Sequence, residues 1–352
     1  MRPAKAIRAV SAVGVTTSII YMLVAFTSLI LENPSLHARF MLYGALILFP
    51  YAVSLAYVAS VTKRHIPDLV PVTLATILLI PIPILAMLGV SDSYLTVIVA
   101  VSGSLGVPSA IIVGRGRKSS VKLSLYLVAL TYQTMSLASI ALTISPTTIF
   151  LYRALVLVLA FPVPLIYAVT VNSFPATFKD EPNEPLSYPL PLLSLISGLL
   201  ILYGYQEVAS YLIVLTLALY IYSARIYKWI DYRERIRNYP EGPAKKGLEY
   251  FLWGHVAVII AILIMTAYIL GLPGECMGLC YLHLFTLGFI TLHVWIHGPL
   301  MLPVILGVRH RRRFTLAPYP LLLAAMAVFP AFMSIAFILY VASFIATVYI
   351  VL

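Results

Sequence analysis

Charge is scarce in this chain. Charged residues make up 10% of the 352 positions against 62% hydrophobic ones, whereas a soluble domain carries about 25%. That shortage excludes a soluble fold and leaves a polytopic membrane protein. Long polar runs are missing too. The longest, Tyr227 to Glu249, mixes Arg, Lys, Glu and Asp around a Pro240-Glu241-Gly242-Pro243 turn, and reads as a solvated cytoplasmic connector over residues 228–248 of an otherwise single integral membrane domain. With no folded basic domain, the net charge of +11 does not point to a nucleic-acid partner. The first apolar stretch lacks a small-residue cleavage site and reads as a retained span rather than a signal peptide. No convincing internal repeat is evident, and there are only two cysteines.

What the chain has is apolar runs of bilayer length. They fall near 10–31, 39–61, 68–89, 93–114, 121–144, 149–171, 187–204, 208–227, 249–271, 279–306 and 316–350, each about 20 residues or more. The expected fold is an all-α, polytopic transmembrane helix bundle of about eleven spans, with ten to twelve as the range. The last run is too long for one straight crossing, so Pro330 is expected to kink it or part of it to lie in the interface. Pro81 and Pro83, and Pro162 and Pro164, interrupt two further spans. Such breaks mark either a transporter site or kinks repaired by neighbouring helices.

The 23 basic residues crowd into alternate loops, all but Arg39 and Arg153 falling on one side. The positive-inside rule then places the N-terminus in the cytoplasm of a multi-pass protein of the cytoplasmic membrane.

Ionisable groups at membrane depth are functional candidates by default. His283, His293 and His297 lie in one apolar stretch and, at about 100° and 1.5 Å per residue, share an arc of roughly 80° with the outer two ~21 Å apart along the axis. With depth assigned, the histidines form two layers: His37 and His283 near the outer surface, His255 and His297 in the inner half. A bis-imidazole haem needs two histidines at similar depth on facing helices, so His37 with His283 is the expected outer pair and His255 with His297 the inner one. His293 is left near the midplane for a second metal or a proton path. Hydrogen bonding between helices is the plain alternative for all of them. His65 and His310 fall in basic loops and read as solvated.

Gly254, Gly288 and Gly298 near these histidines either admit a flat macrocycle or serve ordinary helix packing. Arg153 either neutralises a haem propionate or snorkels to headgroups. Cys276, Met277 and Cys280 precede His283 as Cys-x3-Cys-x2-His, a set rich in soft copper ligands. The alternative is a loop disulfide.

Two motifs carry a family resemblance. Leu36-His37-Ala38-Arg39-Phe40-Met41-Leu42-Tyr43-Gly44 resembles the His-Ala-x-x-Met-Leu-aromatic-Gly opening of the second span in the NnrS family, and His283-Leu284-Phe285-Thr286-Leu287-Gly288 is similar to that family's His-Ala-Leu-Thr-x-Gly. Where the family has a second histidine two residues after the first, this chain has Arg39. The run from His283 through His297-Gly298-Pro299 to Leu302-Pro303 also resembles a related group of haem–copper-oxidase-like membrane proteins. The NnrS resemblance implies a haem- and copper-containing membrane protein tied to nitric oxide, with His37 and His283 as ligands. Trp253-Gly254-His255 is similar to the Gly-His of a copper-ligating helix in haem–copper oxidases, but no His-His pair and no His–Tyr spacing follows, which argues against an oxygen-reducing centre.

The resulting expectation is a protein that binds one or two b-type haems, with copper as a further metal, and acts in nitric-oxide handling or transmembrane electron transfer. Its partners would be membrane lipids and respiratory-chain subunits or an electron donor. A transporter, or a structural respiratory subunit whose histidines pin helices, is the alternative.

Overall fold

The computed structural model describes residues 3–62, 70–114, 119–145, 149–271, 277–306, 314–329 and 331–351, without the side chains of 3–6, 60–62, 112–114, 119–120, 277 and 304. Cys276, His65, His310 and Pro330 lie outside the described residues. Among the described residues every regular element is helical. Among the described residues, eleven helices are long and apolar enough to cross a bilayer: Ile7–Ile30, Pro34–Ala59, Val70–Met87, Asp92–Ile111, Val121–Ile144, Phe150–Thr177, Glu184–Leu202, Gln206–Ser223, Pro243–Gly271, Gly278–Pro303 and Met333–Val351. The protein is a multi-span α-helical membrane protein. Large apolar side chains such as Ile338, Leu263 and Ile345 stay exposed, as lipid-facing surface requires. The final apolar run is split into Pro318–Val328 and Met333–Val351. The two pieces pack against each other, and the first, at about 16 Å, spans only half a hydrocarbon core.

The chain divides into two compact units, one of residues 1–169 and 188–205, the other of 170–187 and 206–352. In the first unit, Asn33 caps the second span by accepting from Leu36 N, with Pro34 following it in the first turn, a standard start signal. The proline-broken spans are repaired by neighbours. Pro164 has no N–H to offer the Ala160 carbonyl four residues earlier, and Thr134 Oγ1 donates to that carbonyl at 2.6 Å. Ser194 Oγ donates to Leu159 O at the same break, at 2.5 Å, and Tyr21 donates to Ile80 O beside Pro81 at 2.7 Å. Side chains of adjacent spans thus satisfy the carbonyls exposed at both breaks, as bilayer depth demands.

The second unit uses the same device. Pro299 frees the carbonyl of Trp295, and Tyr250 donates its hydroxyl to that oxygen at 2.5 Å. Trp295 Nε1 in turn donates to Ser343 Oγ at 2.7 Å, and Ser343 to Pro318 O at 2.8 Å, tying the helix of His293 and His297 to the last two. The 228–248 connector is itself structured. It contains the helix Trp229–Arg237, with Tyr232 and Ile236 buried, docked on Asp180 through Lys228 Nζ at 3.0 Å and Tyr232 Oη at 2.8 Å. Burial pushes the Asp180 carboxyl up. The Lys228 ammonium, the Glu181 N–H and the Tyr232 hydroxyl together outweigh this and hold it at about 2. Burial and the Asp180 carboxylate push the Tyr232 phenol well above its ordinary value.

Candidate functional site: a cluster of buried imidazoles

Three of the expected site histidines meet inside the second unit. His255 lies within Pro243–Gly271, and His293 and His297 within Thr291–Leu306. Their ring centroids are 5.7 Å apart for His255 and His297, 6.1 Å for His255 and His293, and 6.5 Å for His293 and His297. The surrounding rings are Phe174, 4.3 Å from His255, Phe251, 4.5 Å from His255 and 5.4 Å from His297, and Phe289, 4.5 Å from His293. His255 is fully buried and His293 nearly so.

Backbone carbonyls set the tautomers. Nδ1 of His255 meets Phe251 O at 2.8 Å, and Nδ1 of His293 meets Phe289 O at 2.7 Å. A carbonyl only accepts, so each Nδ1 carries the hydrogen, and each neutral ring presents Nε2 as a bare lone pair. Nε2 of His293 is engaged, accepting from the buried Tyr220 hydroxyl at 2.7 Å. Nε2 of His255 and of His297 are buried with no hydrogen-bond partner. An unpartnered buried nitrogen is costly, and two of them beside each other call for an explanation. Among the described residues, no group of three or more His, Cys, Asp or Glu side chains could hold a metal ion. The cluster therefore offers two open donors and one donor occupied by Tyr220.

His37 and His283 show the same tether. His37 Nδ1 donates to Ala25 O at 2.9 Å and His283 Nδ1 to Leu279 O at 2.8 Å, while the His283 ring stacks on Phe329 at 4.7 Å. Each of the two histidines lies just before a wide π-helical stretch, Phe40–Leu48 and Leu284–Ile290, a feature frequent at functional sites. The expected pairing of His37 with His283 would join a residue of the first unit to one of the second. The π-helical stretch also breaks the constant 100° step behind the expected common arc of His283, His293 and His297.

Arg153 is nearly buried in the first unit, 7% exposed. It lies within electrostatic reach of Tyr43, as do Asp92 and Arg39. Arg39 donates to Ala86 O at 2.8 Å and stands 3.9 Å from Asp92. The two basic residues set apart by the sequence thus gather around one tyrosine. Cys280 is buried and disulfide-bonded, and the Met277 side chain lies outside the described residues.

The chain matches no family model, no curated protein and no solved structure. The fit of a cofactor thus rests on the donors and the space around them. The donors are neutral imidazole nitrogens, which suit copper, zinc and haem iron alike. Space separates these. From its two ring distances, the Phe251 centroid lies roughly 4 Å from the midpoint of His255 and His297, inside the disc of a macrocycle ligated axially by both. A Cβ at Gly254 would meet Ile296 Cγ1 at 2.5 Å and Tyr319 Oη at 2.7 Å, and one at Gly288 would meet Met326 Sδ at 2.5 Å. Neighbouring side chains fill the space over both glycines, which is ordinary helix packing.

Sequence reasoning missed Tyr220, Phe251 and Phe174. Tyr220 is one of 24 tyrosines, and no local pattern distinguishes it.

Proposed function

We propose that this membrane protein is a metal-binding redox protein, holding copper, b-type haem or both through its buried imidazoles and acting in nitric-oxide handling or transmembrane electron transfer. The observation that carries the reading is the pair of buried, unpartnered Nε2 atoms on His255 and His297. The backbone tether of His255 adds to it, since ligating histidines characteristically donate their other ring nitrogen to a carbonyl. Such a group, when bound, supplies a one-electron couple. The chain's part is to set the tautomers, exclude water with Phe174, Phe251 and Phe289, and hold the helices together through Tyr250, Trp295 and Ser343.

His37, with Arg153 as a propionate partner, is the haem ligand we assign within the first unit, and His283 the one within the second; each is tethered at Nδ1. The basic loops favour a cytoplasmic N-terminus in the cytoplasmic membrane, with an electron donor or respiratory subunits as partners.

The absorption spectrum of the purified protein tests this. A Soret band with sharpened visible bands after dithionite is expected for haem, and a carbon monoxide shift then separates gas binding from six-coordinate electron transfer. A colourless protein that also lacks copper overturns the reading and favours the transporter alternative.

A further inference from the structure

We propose that the first unit carries a proton-conducting file of hydroxyls and bound water between the spans Pro34–Ala59, Asp92–Ile111 and Val121–Ile144. The inference rests on no part of the redox reading.

The file begins as a polar face on one helix. Tyr132, Ser136, Ser139 and Thr143 share an arc of roughly 60° at about 100° per residue, and Ser124 to Thr143 covers about 28 Å of a hydrocarbon core about 30 Å thick. The two other spans meet this face at three depths. Thr96 pairs with Thr143 at 3.1 Å, Ser54 with Tyr132 at 2.6 Å, and Tyr57 with Ser124 at 2.7 Å. Tyr51 donates to Ser102 O at 2.6 Å, its ring 5.0 Å from that of Tyr132.

Two buried hydroxyls point to water. Serines within helices can return their hydrogen to a carbonyl one turn earlier, as Ser139 does to Met135 O. Ser102 and Ser109 do not: they are 0% and 2% exposed, and neither Oγ has a hydrogen-bond partner. Both share the helix face of Gly106, where an added Cβ would meet the Tyr132 ring at 2.6 Å and Tyr51 Oη at 2.7 Å. The unpartnered oxygens thus lie on the face turned to the two tyrosines. A buried hydroxyl without a partner is costly, and ordered water is the usual partner of such groups.

Chemistry selects the proton. Hydroxyls and water both donate and accept, so a proton taken up at one end is passed on as each oxygen gives up the hydrogen it held, and another leaves at the far end. Apart from His37, Arg39, Asp92 and Lys122 near their ends, the three spans contain no Asp, Glu, Lys, Arg or His. No carboxylate inside the file therefore compensates a metal cation. Asp92 stands at the entrance, one turn before Thr96, with Oδ1 buried and unpartnered. Arg39, 3.9 Å from Asp92, places a positive charge there, which raises the barrier to protons.

The experiment reconstitutes the full-length protein in phosphatidylcholine vesicles loaded with a pH-sensitive dye, and drives proton entry with a potassium diffusion potential set by valinomycin, without reductant. Entry faster than in protein-free vesicles is expected. Ser102→Ala and Ser109→Ala break no hydrogen bond within the protein, so a packing role predicts unchanged flux. The file predicts an unchanged melting temperature with flux lowered about three- to ten-fold by each, the worth of one hydrogen bond to the conducting water. Arg39→Gln should raise the flux, and Ser223→Ala, which breaks the Ser187–Ser223 pair of the second unit, should leave it unchanged. Entry no faster than in protein-free vesicles, flux that survives the Ser102→Ala/Ser109→Ala double substitution, or sodium carried as readily as protons overturns the inference. An Arg39→Gln flux that is unchanged or lower overturns the placement of the entrance.

Discussion

Removing the Tyr250 hydroxyl should cost stability chiefly because of Pro299, far along the chain. Pro299 leaves the Trp295 carbonyl without its helical N–H, and Tyr250 Oη, 2.5 Å away, takes that place. Tyr250→Phe keeps the ring packing on Tyr319, 5.0 Å distant, and strands the carbonyl in a buried setting. An unsatisfied buried acceptor costs about 1–3 kcal/mol, and hydrogen bonds between helices in membranes average about 0.6 and reach about 1.7. A loss of about 1–2 kcal/mol is expected from Tyr250→Phe. In a Pro299→Ala background the alanine N–H can reach Trp295 O, and the same substitution should then cost less than about 0.5 kcal/mol. The four proteins form a double-mutant cycle, read by unfolding in mixed micelles with tryptophan fluorescence. Equal costs of Tyr250→Phe in the two backgrounds would show that the hydroxyl does not substitute for the missing N–H.

Further outcomes follow from other parts of the molecule. Because Asp180 is held at about 2 from 3.8, the stability it contributes is present above pH 3.8 and lost as pH falls through 2. Asp180→Asn should remove that dependence at a cost of about 1 kcal/mol after allowance for solvent screening, read from acid unfolding curves of the two proteins. Gly254→Leu, whose Cβ would meet Ile296 and Tyr319 at 2.5 and 2.7 Å, should destabilise by about 1–3 kcal/mol; an unchanged melting temperature would mean that the space over Gly254 is open. Replacing both cysteines by serine should leave the metal content of the protein unchanged, since Cys280 is disulfide-bonded, and elemental analysis of that variant checks it. Single cysteines placed at Gly242 and Ser35 should react with a membrane-impermeant maleimide from opposite faces of sealed vesicles.

Much of the architecture was legible because hydropathy and span length are local properties. All eleven apolar runs have a spanning counterpart, and the split of the last run was readable from its excess length and Pro330. The meeting of His255 with His297 followed from depth on helices of alternating direction. The expected shared arc with His283 assumes a constant step, and the wide turn at Leu284–Ile290, which leaves no mark in the sequence periodicity, interrupts that step. Whether Gly254 faces a cofactor or a neighbour depends on Ile296 and Tyr319, more than forty residues away. The proline breaks were ambiguous for the same reason: Thr134 and Ser194, which supply the missing donors, are remote in sequence.

The most direct test of the central claim is the metal content of the purified protein, measured by plasma mass spectrometry beside a His255→Gln/His297→Gln double variant. The account predicts copper or haem iron in the wild-type protein, with the copper lost in the double variant and the iron unaffected by the change. Wild-type protein with no more copper or iron than the double variant, and no haem spectrum, would contradict it.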